Sequence, residues 1–234
     1  MTDRSSPEVR RLFAAAARGR LSRRHLIGRG LALGLSVPTI TTLLAMHPDR
    51  TLAAGGGTLR IGYDQDIQFL DPQKLQGGQD LLPSTLLFGR LTSWDATMLD
   101  PQPDIAESWT ISNDGLTYVF TLRAGVTFPS GREVTADDVV FSYQRALDIG
   151  PQGRGAGELR EVESFSATGP LEFTIKLKQT SAVFLPGTGH WALCIVDKDT
   201  VDAIDTAPAG TGPFTFVEWV PGEHVTYKKN SAYW

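Results

Sequence analysis

The chain has 234 residues, 41% of them hydrophobic, with 22 Lys and Arg against 26 Asp and Glu and a single Cys. That length and apolar content exclude a disordered chain and allow one large domain or two small ones. One Cys excludes an internal disulfide framework and a cysteine-rich zinc module, and four scattered His show no ligand spacing, so neither metal nor cofactor is expected. The net charge of -4 conceals an asymmetry: residues 1–53 carry nine Lys and Arg against three Asp and Glu, a net of +6, while residues 54–234 are net -10. A basic head on an acidic body argues against nucleic-acid binding.

Eight of the nine basic residues of the head fall within residues 1–29, and a stretch without charge follows at 30–46. A basic region, an apolar region and a small-residue exit, in that order, make a secretory signal. At the junction, Ser22-Arg23-Arg24-His25-Leu26-Ile27 resembles a twin-arginine export signal, with Leu26 where phenylalanine is more usual. A membrane anchor is the competing reading, but a span needs about 20 predominantly apolar residues. The stretch at 30–46 is shorter and contains Pro38 and several Thr. Thr51-Leu52-Ala53 is the best small-x-small exit, which places cleavage near Ala53. No Cys is near enough for a lipid anchor, so the mature protein is expected to be exported, soluble and periplasmic.

Beyond the head, residues 58–63 alternate and read as a strand. Leu70-Asp71-Pro72 is a turn signal, 74–80 a loop, and 81–88 a helix stopped by Gly89. Strands are expected at 91–94 and 107–111, then a tight turn at Asn113-Asp114-Gly115 and an alternating strand over 116–123. After a turn at 128–132, Thr135 is the expected N-cap of an amphipathic helix over 136–148, with Asp137 and Asp138 in its first turn. Residues 150–157, with four Gly and one Pro, read as a flexible loop. Further expectations are a strand at 171–178, a helix start at 181–185, a buried strand at 191–196, a short helix at 197–204 and a hairpin of 212–220 with 224–229. Hairpins with interspersed helices indicate an α/β fold of complex topology.

The residues make little case for catalysis. Asp137 and Asp138 point about 100° apart on a helix and serve its N-terminus better than a carboxylate dyad. Gly210-Thr211-Gly212-Pro213 lacks the Lys and hydroxyl of a phosphate loop, no Ser sits in a nucleophile elbow, and Cys194 lies in an apolar run. His190-Trp191 reads either as a core tryptophan beside a surface histidine or as part of a site. An exported enzyme using His190 with Asp197 or Asp199 is the alternative from another class.

Several blocks together resemble the family-5 extracellular solute-binding proteins, the peptide/nickel/opine class that serves ABC importers. They are Leu70-Asp71-Pro72, the 87–91 segment LFGRL, the long run PDIAESWTISNDGLTYVFTLRAGVTFPSGREVTADDVVFSYQR at 103–145, PAGTGPF at 208–214, and Val217-Glu218-Trp219 onward to NSAYW at 230–234. Several blocks in register are far more specific than one.

The resemblance implies a periplasmic-binding-protein-like fold (type II, cluster C) of mixed sheets and helices, with no enzyme activity. It divides the chain into a signal at 1–53, the start of lobe I at 54–88, a small lobe II at 89–179, and a return to lobe I at 180–234. It implies a monomer that closes on a small-molecule or peptide ligand and hands it to ABC permease subunits, after export by the Tat machinery. Trp109, Tyr118 and Phe120 would fill the small-lobe core. The loop after Leu70-Asp71-Pro72 would face the cleft, offering Gln76, Gly77, Gly78 and Gln79 as neutral hydrogen-bonding groups; the alternative for the two glutamines is a solvated loop. His190, Trp191 and the 150–157 segment are further wall candidates. Family members are commonly about twice as long, so the sequence reads as the first half of a receptor, with the second large lobe missing. A truncated chain unable to bind is the remaining alternative.

Overall fold

The computed structural model describes residues 32–33, 57–75, 78–95 and 100–234. The expected signal with Arg23 and Arg24, the alternative anchor, cleavage near Ala53, and the site candidates Gln76 and Gly77 lie outside these residues. The chain divides into two units, Met1–Ile61 and Gly62–Trp234. In the first, residues 57–61 have no regular secondary structure, and Leu59 and Ile61 are exposed. Residues 58–63 therefore do not form the expected strand: alternation gives a strand its two faces, but only ladder partners satisfy its backbone.

The second unit is built around a four-stranded antiparallel sheet. Its strands are β3 (Ala106–Ile111), β4 (Thr117–Leu122), β5 (Val162–Gly169) and β6 (Glu172–Leu177), in the order β3-β4-β6-β5. Alternation decides which face is buried: Tyr118, Phe120 and Leu122 on β4, and Phe173, Ile175 and Leu177 on β6. Phe120 pairs with both Trp109 and Phe173 across the ladder. Trp109 is only half-buried and packs against the core from its margin, so the core expectation holds for Tyr118 and Phe120 but not fully for Trp109. The expected β3–β4 turn forms, with Gly115 at φ 71°.

Helix α2 (Ala136–Asp148) covers the buried face, after α1 (Leu81–Leu87) earlier in the chain. Thr135 and Asp138 form a reciprocal capping box at its start. Val139, Tyr143 and Ala146 enter the main hydrophobic cluster, where the Tyr143 ring meets Phe173 edge-on at 5.4 Å between centroids. The Tyr143 hydroxyl is buried without a hydrogen-bond partner among the described residues, and burial pushes its pKa upward. Tyr143→Phe should therefore raise stability by about 1 kcal/mol, measured by urea unfolding, because it removes a desolvated, unpaired donor.

A second cluster joins Leu87, Phe88, Cys194, Val196 and Ile204 to Phe141, Phe216 and Tyr227. Helix α2 thus feeds both clusters. Phe216 and Tyr227 are opposite partners in the hairpin β7 (Phe214–Val220) and β8 (His224–Lys229). Earlier, β1 (Thr92–Trp94) pairs with β2 (Pro101–Pro103).

Four expectations change. Residues 150–157 are not a loop but a 3-10 turn, Gly150–Gln152, followed by the one-turn helix α3 (Gly155–Glu158). Residues 78–80 form a 3-10 turn, and the helix after them ends at Leu87 with Phe88 as its extended C-cap rather than at a left-handed Gly89. Residues 192–196 are buried as expected, but 191–196 are not a strand: a 3-10 turn, Trp191–Leu193, gives way to extended chain. There the Ile195 amide donates to Gly89 O and the Val196 amide to Ser142 Oγ, so two unrelated acceptors replace a ladder. Over 197–204, only Val201–Ala203 is helical, as a 3-10 turn. The start of a helix near 181–185 appears as the single turn α4 (Phe184–Gly187).

Candidate functional site

The most chemically distinctive surface of the unit lies where α4, the 188–196 segment and the turn before α3 meet. His190 sits between two tryptophans: Trp191 tilted against it at 4.6 Å between ring centroids, and Trp94 edge-on at 6.2 Å. All three are half-buried, so the rings form a shelf with one side open. Trp94 is held by its Nε1–H, which donates to Pro186 O at 2.7 Å. Arg154 places its guanidinium over the Trp191 ring, 5.8 Å from the centroid. It reaches that position because Gly155 lets the chain press inward: a Cβ there would lie 2.6 Å from the Ala146 Cβ.

Burial, reinforced by the charges of Arg154 and Arg90, drives the His190 pKa down to about 4. The imidazole is therefore neutral at physiological pH. Its Nδ1 accepts the Ala192 amide at 3.2 Å, which assigns the ring proton to Nε2 as a donor. Arg154 makes no side-chain ion pair or hydrogen bond among the described residues; its charge is felt by the Glu158 carboxyl on the same turn. Flat apolar faces, one neutral N–H and one exposed guanidinium suit the binding of a polar organic solute.

His190 and Trp191 are thus brought together, while Gly78 and Gln79 lie on the 3-10 turn before α1, exposed and half-buried respectively. The alternative pairing of His190 with Asp197 or Asp199 does not form, because both carboxylates are engaged by Arg132. Among the described residues, no group of His, Cys, Asp and Glu could hold a metal ion. One member of the shelf, Trp94, reads as an ordinary strand residue in the sequence. Arg154 falls within the 150–157 wall candidate, but nothing in that glycine-rich run singles it out.

Residues 100–234 match the model of the bacterial extracellular solute-binding proteins, family 5 Middle. The chain belongs to this family. The family-5 chain is 32% identical over 177 residues to heme-binding protein A of Haemophilus influenzae, covering 64% of itself and 32% of that protein. It is 30% identical over 219 residues to di/tripeptide-binding protein 2 of Pseudomonas aeruginosa, covering 82% of itself and 41% of that protein. Among solved structures it is similar to the ABC transporter-associated periplasmic binding protein DppA of Helicobacter pylori, in complex with the peptide STSA, with a TM-score of 0.66 and 29% identity. That match covers 72% of this chain and 38% of the other. The family-5 chain thus spans about a third to two-fifths of the length of these relatives, and its α/β fold is part of a type II periplasmic-binding-protein fold.

Proposed function

We propose that this chain supplies one wall of the ligand cleft in the substrate-binding component of an ABC importer, which captures an oligopeptide-like solute in the periplasm. The observation that carries the reading is Arg154, an exposed guanidinium with no side-chain ion pair or hydrogen bond among the described residues, placed over Trp191 beside neutral His190. A peptide offers complements to this surface: a carboxylate to bond the guanidinium, a carbonyl for the His190 Nε2–H, and planar amides for the indole faces. The relatives named above are described as binding di- and tripeptides, a bound peptide and heme, all solutes with carboxylates.

The division into lobes follows the same reading. The cluster between the four-stranded sheet and α2 is the core of small lobe II, centred on 89–179. The cluster around Phe88, Val196 and Phe216 begins lobe I, to which 54–88 and 180–234 contribute. On this reading Gly78 and Gln79, on the turn before α1, belong to the lobe I side of the cleft. The binding component works as a monomer: ligand stabilises a closed state, which the permease subunits recognise, and no bond is made or broken.

Delivery to the periplasm depends on Arg23 and Arg24. Replacing both with Lys is expected to leave uncleaved precursor in the cytoplasm in a fractionation experiment, whereas normal periplasmic recovery would remove the twin-arginine reading. The binding function is tested by thermal shift on the protein expressed from its whole open reading frame, with di- and tripeptides, a nickel–histidine chelate, an opine and heme as probes. A ligand at 100 times its Kd should stabilise by about 2.7 kcal/mol, a rise of several degrees in Tm. A flat response to every peptide would contradict the proposal.

A further inference from the structure

Behind the aromatic shelf lies a buried polar knot. Asp71 and Gln73 are 0% and 1% exposed, at the turn that follows Leu70. Gln73 Nε2 donates to Ser142 O on α2 at 2.8 Å and to Cys194 O, just after the Trp191–Leu193 turn, at 3.4 Å. Its Oε1 accepts from Arg145 Nη1 at 2.6 Å. Arg145 in turn forks onto Asp71, Nη1 to Oδ1 at 3.1 Å and Nη2 to Oδ2 at 2.5 Å. Asp71 Oδ1 also accepts the Gln73 amide at 3.0 Å. Finally, Gly153 lies so close to the Gln73 carbonyl that a Cβ there would stand 2.5 Å from its oxygen. One residue therefore touches α2, the chain leaving His190 and Trp191, and the turn entering Arg154.

The chemistry explains why a glutamine stands at the centre. Its Nε2–H group donates to the Cys194 carbonyl and adds a second donor to the Ser142 carbonyl of α2, while its Oε1 gives Arg145 a second acceptor; a neutral amide supplies both roles at once. Glutamate or an apolar residue would leave the Cys194 carbonyl without the Gln73 donor. The Arg145 charge is already met by Asp71, so Gln73 is not required for neutralisation.

We propose that Gln73 is a positioning residue that fixes the segments bearing His190, Trp191 and Arg154 relative to one another before any ligand arrives. The shelf is then preorganised, which reduces the ordering that binding must otherwise supply. The importance of this role rests on the reading of the shelf as a ligand wall, but its test needs no ligand.

The test is the NMR titration of the His190 ring in the 234-residue chain, assigned by the signal lost in His190→Gln. The charged groups facing that ring are Arg154 and Arg90, and its other neighbours are the indoles of Trp94 and Trp191. Wild-type His190 is expected to titrate at about 4. Gln73→Met keeps the bulk but loses the amide, and as the shelf loosens and water enters, the midpoint should rise by about one pH unit or more toward 6.5. Ile175→Val, which removes one buried methyl from the sheet core, should lower stability and leave the midpoint in place. Should Gln73→Met fail to fold, Arg145→Lys keeps a cation opposite Asp71, loses the Nη1 bond to Gln73, and should give a smaller upward shift. An unmoved His190 midpoint in the folded variant, or an equal shift in Ile175→Val, overturns the proposal. Failure of the functional reading shows differently: no peptide binds, while the Gln73-dependent shift persists.

Discussion

Arg132→Ala is expected to lower the unfolding free energy by about 3–5 kcal/mol, as breaking a buried ion pair from one side does. Arg132 Nη1 and Nη2 each lie 2.8 Å from a different oxygen of Asp138, Nη2 also bonds Asp197 Oδ1, and Nε is 2.8 Å from Asp199 Oδ2. The carboxylates of Asp138 and Asp197 are wholly inaccessible, whereas Asp199 is largely exposed. Removing the guanidinium therefore strands two buried anions, and the third contributes little. The same residue ties the 128–132 turn to the start of α2 and to the chain beyond Val196, so its loss reaches both hydrophobic clusters.

The pH dependence follows from Asp138. Burial pushes its carboxyl up, but the hydrogen bonds and charge of Arg132, with the backbone and hydroxyl bonds of Thr135, outweigh burial and hold the pKa below the usual carboxylate value. Stability from this depressed group is present above the unfolded-state value near 4 and is lost as pH falls through the lower folded value. In Arg132→Ala, burial acts unopposed by the guanidinium, so acid unfolding should begin at higher pH. Urea unfolding of both proteins between pH 7 and pH 3 checks this. A difference below about 1 kcal/mol at pH 7 would mean the network is no stronger than a surface pair.

Phe173→Ala is expected to destabilise by a similar amount, about 3–5 kcal/mol. Phe173 is wholly buried at the centre of the sheet face. Its ring meets Phe120 on the neighbouring strand, Phe165 on the other side and Tyr143 from the helix above, at 5.4 to 6.5 Å between centroids. Strand and helix backbones border the space from both sides and cannot close it, so most of the ring volume would remain as a cavity. Loss of cooperativity in the unfolding curve should accompany the drop in its midpoint.

The legible parts of the fold were those where local chemistry and tertiary packing agree. Alternation in 116–123 and 171–178 marked β4 and β6, because each buries alternate residues under one helix. The Thr135 cap and helical spacing marked α2 for the same reason. Strand β5 passed unnoticed, since it is an edge strand with two register shifts and no clean buried face. Segment 191–196 showed its burial but not its conformation, because apolar runs look alike whether their amides bond a ladder or isolated acceptors such as Gly89 O and Ser142 Oγ.

The site was half legible. His190 and Trp191 stood out as neighbours in the sequence, but Trp94 and Arg154 reach them from elements far apart in the chain. Gln73 gave no local sign at all, since its role exists only where three distant segments meet.

The central claim is that the shelf of Trp94, His190 and Trp191, with Arg154, is a wall of the ligand cleft. Calorimetric titration of the tightest-binding di- or tripeptide into the protein from its whole open reading frame tests it most directly, comparing wild type with Arg154→Ala. Arg154 makes no other polar contact among the described residues, so the substitution should leave Tm within about a degree. Loss of its charge-assisted bond to the peptide carboxylate should weaken binding about tenfold or more. Unchanged affinity in Arg154→Ala, with the protein folded, would place the ligand elsewhere and contradict the claim.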